Sequence, residues 1–524
     1  MTKKAFAGLL LCAIAGALAF RLVRLDLRPM HTDEANQAVK FGGLLERGEY
    51  RFDPRDHHGP SLYYLTLPAA RVAGATSLAG LDETTLRIVP ALFGAGLLLI
   101  LLLFAGGLAR EAILAAATLI AVSPAMTYYS RFYIQETLLV FFLAVFLGAG
   151  WRYAKKRTGW WALAAGAAAG LMYATKETSV ILFGGAAAAF AAVGLWERAV
   201  SRPGGTVTAG GAWIWRDART KLPTAFHASL FLVAGAAVAV LFYTSFFQDP
   251  RGPIDSIRAI GASFDRAGHP GFHAHPWYFY FRTLAYSKAA GGPVWSEAFL
   301  LFLAAAGGIA ALGNDGGKDG SPRFMRFILF FTVFTAAAYS LIPYKTPWNL
   351  LPFHFGLAVL AGGGVALLLR ISRFRLVKLV VLAALLPGFA NLAVQSFRAN
   401  FELPADPSNP YVYAQTSPDL LRLVGEVEKA AAAAPEKGDL LIEVVAPPEE
   451  TWPLPWYLRK FGRVGYWTSA ESARRDAGPV QAVVVISSAA FAAELAEELG
   501  DGYEQTFYGL RPEVVMSLFI RRAL

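Results

Sequence analysis

The chain is 524 residues long, 55% hydrophobic and only 16% charged, with a mean hydropathy of +0.43. A soluble domain carries about 25% charged and about 45–50% apolar residues, so much of this surface has no need to meet water, and disordered, collagen-like and coiled-coil chains are excluded. One cysteine, Cys12, excludes a disulfide framework and a cysteine-built zinc site; the net charge of +10 has to be read by position before it speaks for nucleic acid.

A bilayer crossing takes about 20 apolar residues. In chain order, eleven runs stand out, near 5–23, 86–108, 112–129, 134–151, 160–174, 178–196, 226–247, 294–312, 325–343, 349–370 and 376–396. The first also fits a signal peptide, with Lys3 and Lys4 ahead of an apolar stretch and Ala-Leu-Ala. Arg21 and Arg24 directly behind it make a poor cleavage context, so it reads as an uncleaved span. With the N-terminus in the cytoplasm, nineteen of the 48 Lys and Arg fall in the loops then placed inside. The acids there are only Glu111, Glu197, Asp217, Asp315 and Asp319, as the positive-inside rule requires. The basic charge is therefore an orientation signal and leaves no nucleic-acid partner. The expected location is the cytoplasmic (inner) membrane, multi-pass.

Eleven crossings place two long loops, 24–85 and 248–293, and everything after about residue 397 on the outer face. The last part changes character. LLIEVVA (440–446) and QAVVVIS (481–487) read as strands, Phe491–Leu499 as a helix and Val514–Ile520 as a closing strand. The expected architecture is an all-α polytopic membrane protein of about eleven helices (1–396) carrying a small extracytoplasmic α/β domain (397–524).

The densest polar cluster is in loop 24–85: MHTDEA at 30–35, then FDPRDHHGPSLYY at 52–64, with His57 and His58. Asp33 and Glu34 sit close behind the first span. Successive helical residues point about 100° apart, so one carboxylate can face a cavity while the other makes a different contact. Other ionisable groups lie at the expected outer ends of the spans, where they are expensive and so are functional candidates. They are Glu83 with Arg87, Arg131 and Glu136 in SRFYIQE, Lys176 and Glu177 in YATKETS, and Lys345 beside Tyr344 and Trp348 in PYKTPWN. Each has a structural alternative: an Asp-Glu pair caps helices, Arg87 can pair with Glu83, and Lys176 can snorkel. His273 and His275 alternate around Ala274 as a candidate metal constellation.

The Asp-Glu pair after the first span, the Ser-Arg-x-x-x-x-Glu element and the Thr-Lys-Glu turn resemble membrane glycosyltransferases of the GT-C superfamily. Protein O-mannosyltransferases and the aminoarabinose transferase that modifies lipid A are similar in layout. HGPSLYYL (58–65), YKTPWNLLPFH (344–354), NPYVYAQTSPDLLRLV (409–424) and ETWPLPWYLRKFG (450–462) resemble the prokaryotic branch labelled flippase-activity-associated protein. The resemblance implies transfer of a sugar from a polyprenyl-phosphate donor to a glycan, lipid or protein acceptor, with inversion. It implies Asp33 as base or acceptor-positioning acid, supported by Glu34 and Glu136, and Arg131, Lys176 and Lys345 at the donor phosphate. Glu83, Arg87, Glu177, His57 and His58 would support them. It leaves a place for a divalent metal ion, with Asp33, Glu136, His273 and His275 as candidate ligands; Glu136 departs from the Asp of many relatives.

The chemistry is consistent with that. A lipid-phosphate sugar needs an apolar groove with cations at its mouth, and transfer needs a carboxylate to take the acceptor proton. No GxGxxG or P-loop motif is placed in a strand–turn–helix context. Two other readings stay open. A lipid-linked sugar flippase or transporter would place polar sites near the midplane, between broken helices. A non-catalytic scaffold would use the outer domain to bind a partner.

Overall fold

The computed structural model describes residues 1–522 except His57, 201–223, Pro270, 314–319, Ser372, 435–439 and 478–481. All eleven apolar runs are helical. In chain order the helices are α1 (Lys3–Leu22), α2 (Thr32–Arg47), α3 (Ser61–Val72), α4 (Glu83–Ile100), α5 (Arg110–Val122), α6 (Pro124–Tyr129), α7 (Glu136–Lys156), α8 (Gly159–Tyr173) and α9 (Ser179–Val200). They continue with α10 (Ala225–Tyr243), α11 (Gly252–Gly268), α12 (Phe279–Ala285), α13 (Ala298–Leu312), α14 (Pro322–Leu341), α15 (Leu351–Leu368) and α16 (Arg375–Phe397). Among the described residues, eight helices are long and apolar enough to cross a membrane: α1, α4, α7, α9, α10, α14, α15 and α16, three of them with flanking turns. The three other runs form shorter helices. The run 112–129 is interrupted at Ser123–Pro124, leaving 13 residues in α5, while α8 and α13 have 15 each. The chain is a multi-pass membrane protein. Residues 201–223, most of one expected inner loop, lie outside the described residues.

Two arginines close helix ends across the bundle. A helix terminates with carbonyls that lack an intrahelical partner. Arg131 donates to the carbonyls of Phe20, Arg21, Val23 and Arg24 at 2.7–3.2 Å, capping the end of α1. Arg21 is fully buried and donates to the carbonyls of Ile120 (2.8 Å) and Ala121 (3.3 Å) at the end of α5. Both pairs fix how the connections leave the bundle at one end.

The core helix α15 is held by backbone-to-backbone approach. A Cβ on Gly307 of α13 would lie 1.9 Å from the Leu360 carbonyl oxygen, and one on Gly364 of α15 would lie 2.1 Å from that of Leu303. No side chain fits there, and small residues are what allow membrane helices to pack so closely.

The C-terminal unit begins at α17 (Asp419–Ala433). It continues through β1 (Leu441–Val445), the short turns α18 (Pro448–Thr451) and α19 (Leu454–Tyr457), β2 (Arg463–Trp467), α20 (Ala470–Ala477), β3 (Val484–Ser488), α21 (Ala489–Leu499), β4 (Tyr503–Arg511) and β5 (Val514–Arg521). The strand order is β2-β1-β3-β5-β4; the first three strands are parallel and the last two antiparallel. Side chains alternate across the sheet: Ile442, Val444, Val484, Ile486 and Leu518 pack with α17, while Val445, Val485 and Phe519 pack with α20 and α21. Residues 398–413 contribute Ala399 and Tyr411 to the core of the helical bundle, so the sheet unit has a core of its own only from α17 onward.

Replacing Gly307 by Leu should overpack the α13–α15 crossing. Overpacking costs about 1–3 kcal/mol, read as a lower thermal midpoint of the detergent-solubilised protein; Gly150→Ala, where a Cβ meets open space, should leave it unchanged.

Candidate active site

The first loop turns into α2 through a reciprocal cap. His31 is the N-cap: its Nδ1 accepts the Asp33 N–H (3.0 Å), and the Glu34 carboxylate accepts the His31 N–H (3.0 Å). Glu34 is completely buried. It takes two bonds from Arg87 (both 2.8 Å), one from Arg28 (3.1 Å) and one from the Tyr133 N–H (2.8 Å). Burial alone would raise this carboxyl, but Arg87 and Arg28 outweigh it and hold it far below the ordinary carboxylate range. An ionised carboxylate with five donors has no capacity to take a proton, so Glu34 is corrected from a catalytic to a structural residue. Arg87 pairs with Glu34, and Glu83 instead accepts the Trp456 Nε1–H at 2.8 Å.

One residue earlier on the helix, Asp33 points elsewhere. Its side chain is 47% exposed and stands 4.0 Å from His31 Nδ1. It lines a cleft of about 190 Å³ at the end of the bundle that carries the first loop. Lys176 and Glu177, in the turn between α8 and α9, form another wall together with His58 and Arg266. Tyr344 and Trp348, between α14 and α15, add aromatic rings, and Val180, Ile181, Ile260, Phe264 and Ile342 make the rest apolar.

The charges in the cleft are partly compensated. Lys176 forms an ion pair with Glu136, at the start of α7. Glu177 meets His58 Nδ1 at 2.8 Å, Ser263 Oγ at 3.3 Å and Arg266 Nη2 at 3.4 Å. Burial raises the Glu177 carboxyl, but His58 and then Lys176 prevail and bring it down to about 2. The site thus holds Asp33 on one side and Lys176, Arg266 and His58 on another.

Several expected residues do not reach the cleft. Arg131 spends its guanidinium on the carbonyls that end α1 and is corrected from phosphate binding to helix capping. Lys345 is 1% exposed, and its ammonium donates to the carbonyls of His275 (3.0 Å) and Ile342, which removes it as a free phosphate ligand. His57 lies outside the described residues. His273 and His275 meet on the Tyr413 hydroxyl, at 2.8 and 3.3 Å. Burial lowers the His273 imidazole despite the pull of the Asp33 carboxylate, and it lowers His275 with Lys345 adding to the effect. Among the described residues no three His, Cys, Asp or Glu are grouped to hold a metal ion. Of the candidate ligands, Glu136 is paired with Lys176 and the two imidazoles with Tyr413. Arg266, in contrast, carries no motif, and Tyr413 belongs to a phrase that gave it no role. The only advance signal was the amphipathic spacing of 252–268 for Arg266 and the phrase NPYVYAQTSP for Tyr413.

Residues 66–215 match the family model described as dolichyl-phosphate-mannose-protein mannosyltransferase. The structure of ArnT from Cupriavidus metallidurans bound to undecaprenyl phosphate superposes with a TM-score of 0.62 at 14% identity, covering 98% of both chains. The archaeal oligosaccharyltransferase AglB from Archaeoglobus fulgidus, in complex with an inhibitory peptide and a dolichol-phosphate, gives 0.54 at 14% identity, covering 96% of this chain and 73% of its own. The chain shares the fold of these two solved structures. Among curated proteins no sequence match is found. At this identity the likeness extends to the fold, and the chemistry of the present cleft rests on its own residues.

Two outcomes follow from this geometry. Glu34→Gln should cost about 3–5 kcal/mol, the penalty for stranding buried partners, seen as a large fall in thermal midpoint that Asp33→Asn does not share. Glu177 binds its proton less readily folded than unfolded, so its support is complete above about pH 4.5 and fades as the pH falls toward 2. The difference in thermal midpoint between wild type and Glu177→Gln should therefore shrink across that window.

Proposed function

We propose that the protein is a membrane glycosyltransferase that moves a sugar from a polyprenyl-phosphate-linked donor to an acceptor at the outer face of the membrane. The observation that carries this reading is the split of the Asp33–Glu34 pair: Glu34 is locked in the fold while Asp33 faces a cleft with cations on another wall. Such a cleft suits a ligand that is anionic at its head and apolar below it. Lys176 and Arg266 are placed to hold a phosphate, Arg with a planar fork and Lys as a point charge. Val180, Ile181 and Ile260 offer the apolar path.

In the proposed reaction the acceptor oxygen or nitrogen attacks the anomeric carbon as the bond from that carbon to the phosphate oxygen breaks. The electron pair leaves with the polyprenyl phosphate, whose charge Lys176 and Arg266 steady. The acceptor proton passes to the Asp33 carboxylate. A single displacement inverts the sugar carbon. Tyr344 and Trp348 give the sugar ring apolar faces to rest on. The outer orientation is supported by the excess of Lys and Arg in the loops at the other end, and the two solved relatives with lipid phosphates make the donor class reasonable. The acceptor is a glycan, a lipid or a protein group.

The test is a reconstituted protein given polyprenyl-phosphate sugars labelled in the sugar, together with native membranes as acceptor. Asp33→Asn should lower turnover by about 10²–10⁴-fold, the usual contribution of a general base, without a change in thermal midpoint. An Asp33→Asn protein that transfers sugar at the wild-type rate overturns the assignment. Arg266→Gln should lower kcat as well as raise KM for the donor, because the guanidinium steadies the charge that develops on the departing phosphate.

A further inference from the structure

Helix α11 and the segment after it are not explained by the cleft alone. The helix is 17 residues long and carries three distinct faces. At about 100° per residue, Gly252, Ser256 and Ala259 share one face, and all three are buried against the bundle. Arg258 and Asp265 share a second, charged and exposed, while Arg266 stands beside the buried face. Ile254, Ile257 and Phe264 share a third with Gly261 between them, and they are 59%, 66% and 66% exposed. A helix in water has no use for the third face, and a helix in the hydrocarbon has no use for the second.

The neighbours of α11 resolve the conflict. It is joined to the apolar helix α10 by only eight residues, 244–251. Ser245, Phe246 and Phe247 all have positive φ (51°, 57° and 73°), a left-handed turn where α10 ends. Phe246 and Phe247 are themselves exposed, at 45% and 77%. After α11 come Phe272, Trp277 and Tyr278, all exposed, the residue types that gather where lipid headgroups meet water. A helix tied this closely to the end of a membrane span, with one apolar and one charged open face, has the pattern of an interfacial helix.

We propose that α11 lies in the plane of the membrane–water interface, with Ile254, Ile257 and Phe264 in the upper acyl region of the lipid and Arg258 and Asp265 in water. The partner of this surface is the bilayer itself. Ile260 and Phe264 also line the cleft, so one wall of the cleft is a helix bathed in lipid. That gives a lipid-borne substrate a lateral way in beneath α11. This last step rests on the reading of the cleft as a lipid-phosphate site; the depth of the helix does not.

The test measures depth directly and needs no turnover. In a Cys12→Ser background, single cysteines are introduced by Ile257→Cys, Phe264→Cys, Arg258→Cys and Asp265→Cys, spin-labelled, and the protein is placed in phosphatidylcholine–phosphatidylglycerol nanodiscs. Leu232→Cys on α10 serves as the lipid reference and Lys429→Cys on α17 as the water reference. The labels at 257 and 264 are independent readings of the same face, so either one suffices if the other variant fails to fold. Labels at 257 and 264 should collide severalfold more with oxygen than with a water-soluble nickel chelate, as at 232, and those at 258 and 265 should follow 429. If all four labels behave like position 429, α11 stands in water and the proposal fails, whether or not the protein transfers sugar.

Discussion

Glu34 is a formal negative charge with no access to water, and the first loop is arranged around making that tolerable. Desolvating a carboxylate costs several kcal/mol, which attraction repays only with near-ideal geometry and full hydrogen bonding. Arg87 meets it with two parallel bonds, Arg28 and two backbone N–H groups supply the rest, and Arg28 lies over the Phe132 ring at 3.4 Å. The partners come from α4, from the loop itself and from the turn before α7. Fixing this one carboxylate therefore fixes the angle at which α2 leaves the bundle. It also decides which way Asp33 points.

The same logic separates scaffold from site elsewhere. Arg21, Arg131 and Lys345 all donate to main-chain carbonyls, where a cation works as a long-reach cap rather than as a ligand group. Lys176 and Glu177 stand beside each other in one tight turn but answer to different partners, Glu136 below and His58 with Arg266 at the rim. Fold and chemistry thus draw on one stock of charged residues at one end of the bundle. What distinguishes the two uses is whether the side chain lines the cleft, as Asp33, Lys176 and Arg266 do and Glu34, Arg131 and Lys345 do not.

Composition was enough to find the apolar helices, because hydropathy needs no knowledge of tertiary contacts, although only eight of the eleven expected spans are long enough to cross a membrane among the described residues. The division of Asp33 from Glu34 was legible as a possibility from helical geometry, though which carboxylate would be buried depended on Arg87, 53 positions on. Arg131 was misread because its real partners, at the end of α1, are more than 100 positions away and are carbonyls that every sequence has. The strands β2 and β4 passed unnoticed because both are half-exposed and mix polar with apolar residues. Arg266 belongs to no motif and Tyr413 to a phrase without an assigned role; only the folding of remote loops onto one another gives them one.

The C-terminal part reaches back to the first loop: the Tyr457 hydroxyl accepts the Met30 N–H, Gln415 donates to the Pro29 carbonyl, and Thr416 donates to that of Met30. These partners stand 427 and 386 positions apart. During synthesis the stretch that presents Asp33 enters the membrane long before the residues that clasp it have been made. A nascent chain therefore carries the carboxylate without the frame that aims it, and a chain stopped before residue 413 would lack that frame for good. Competence for chemistry is in this way tied to the completion of the polypeptide.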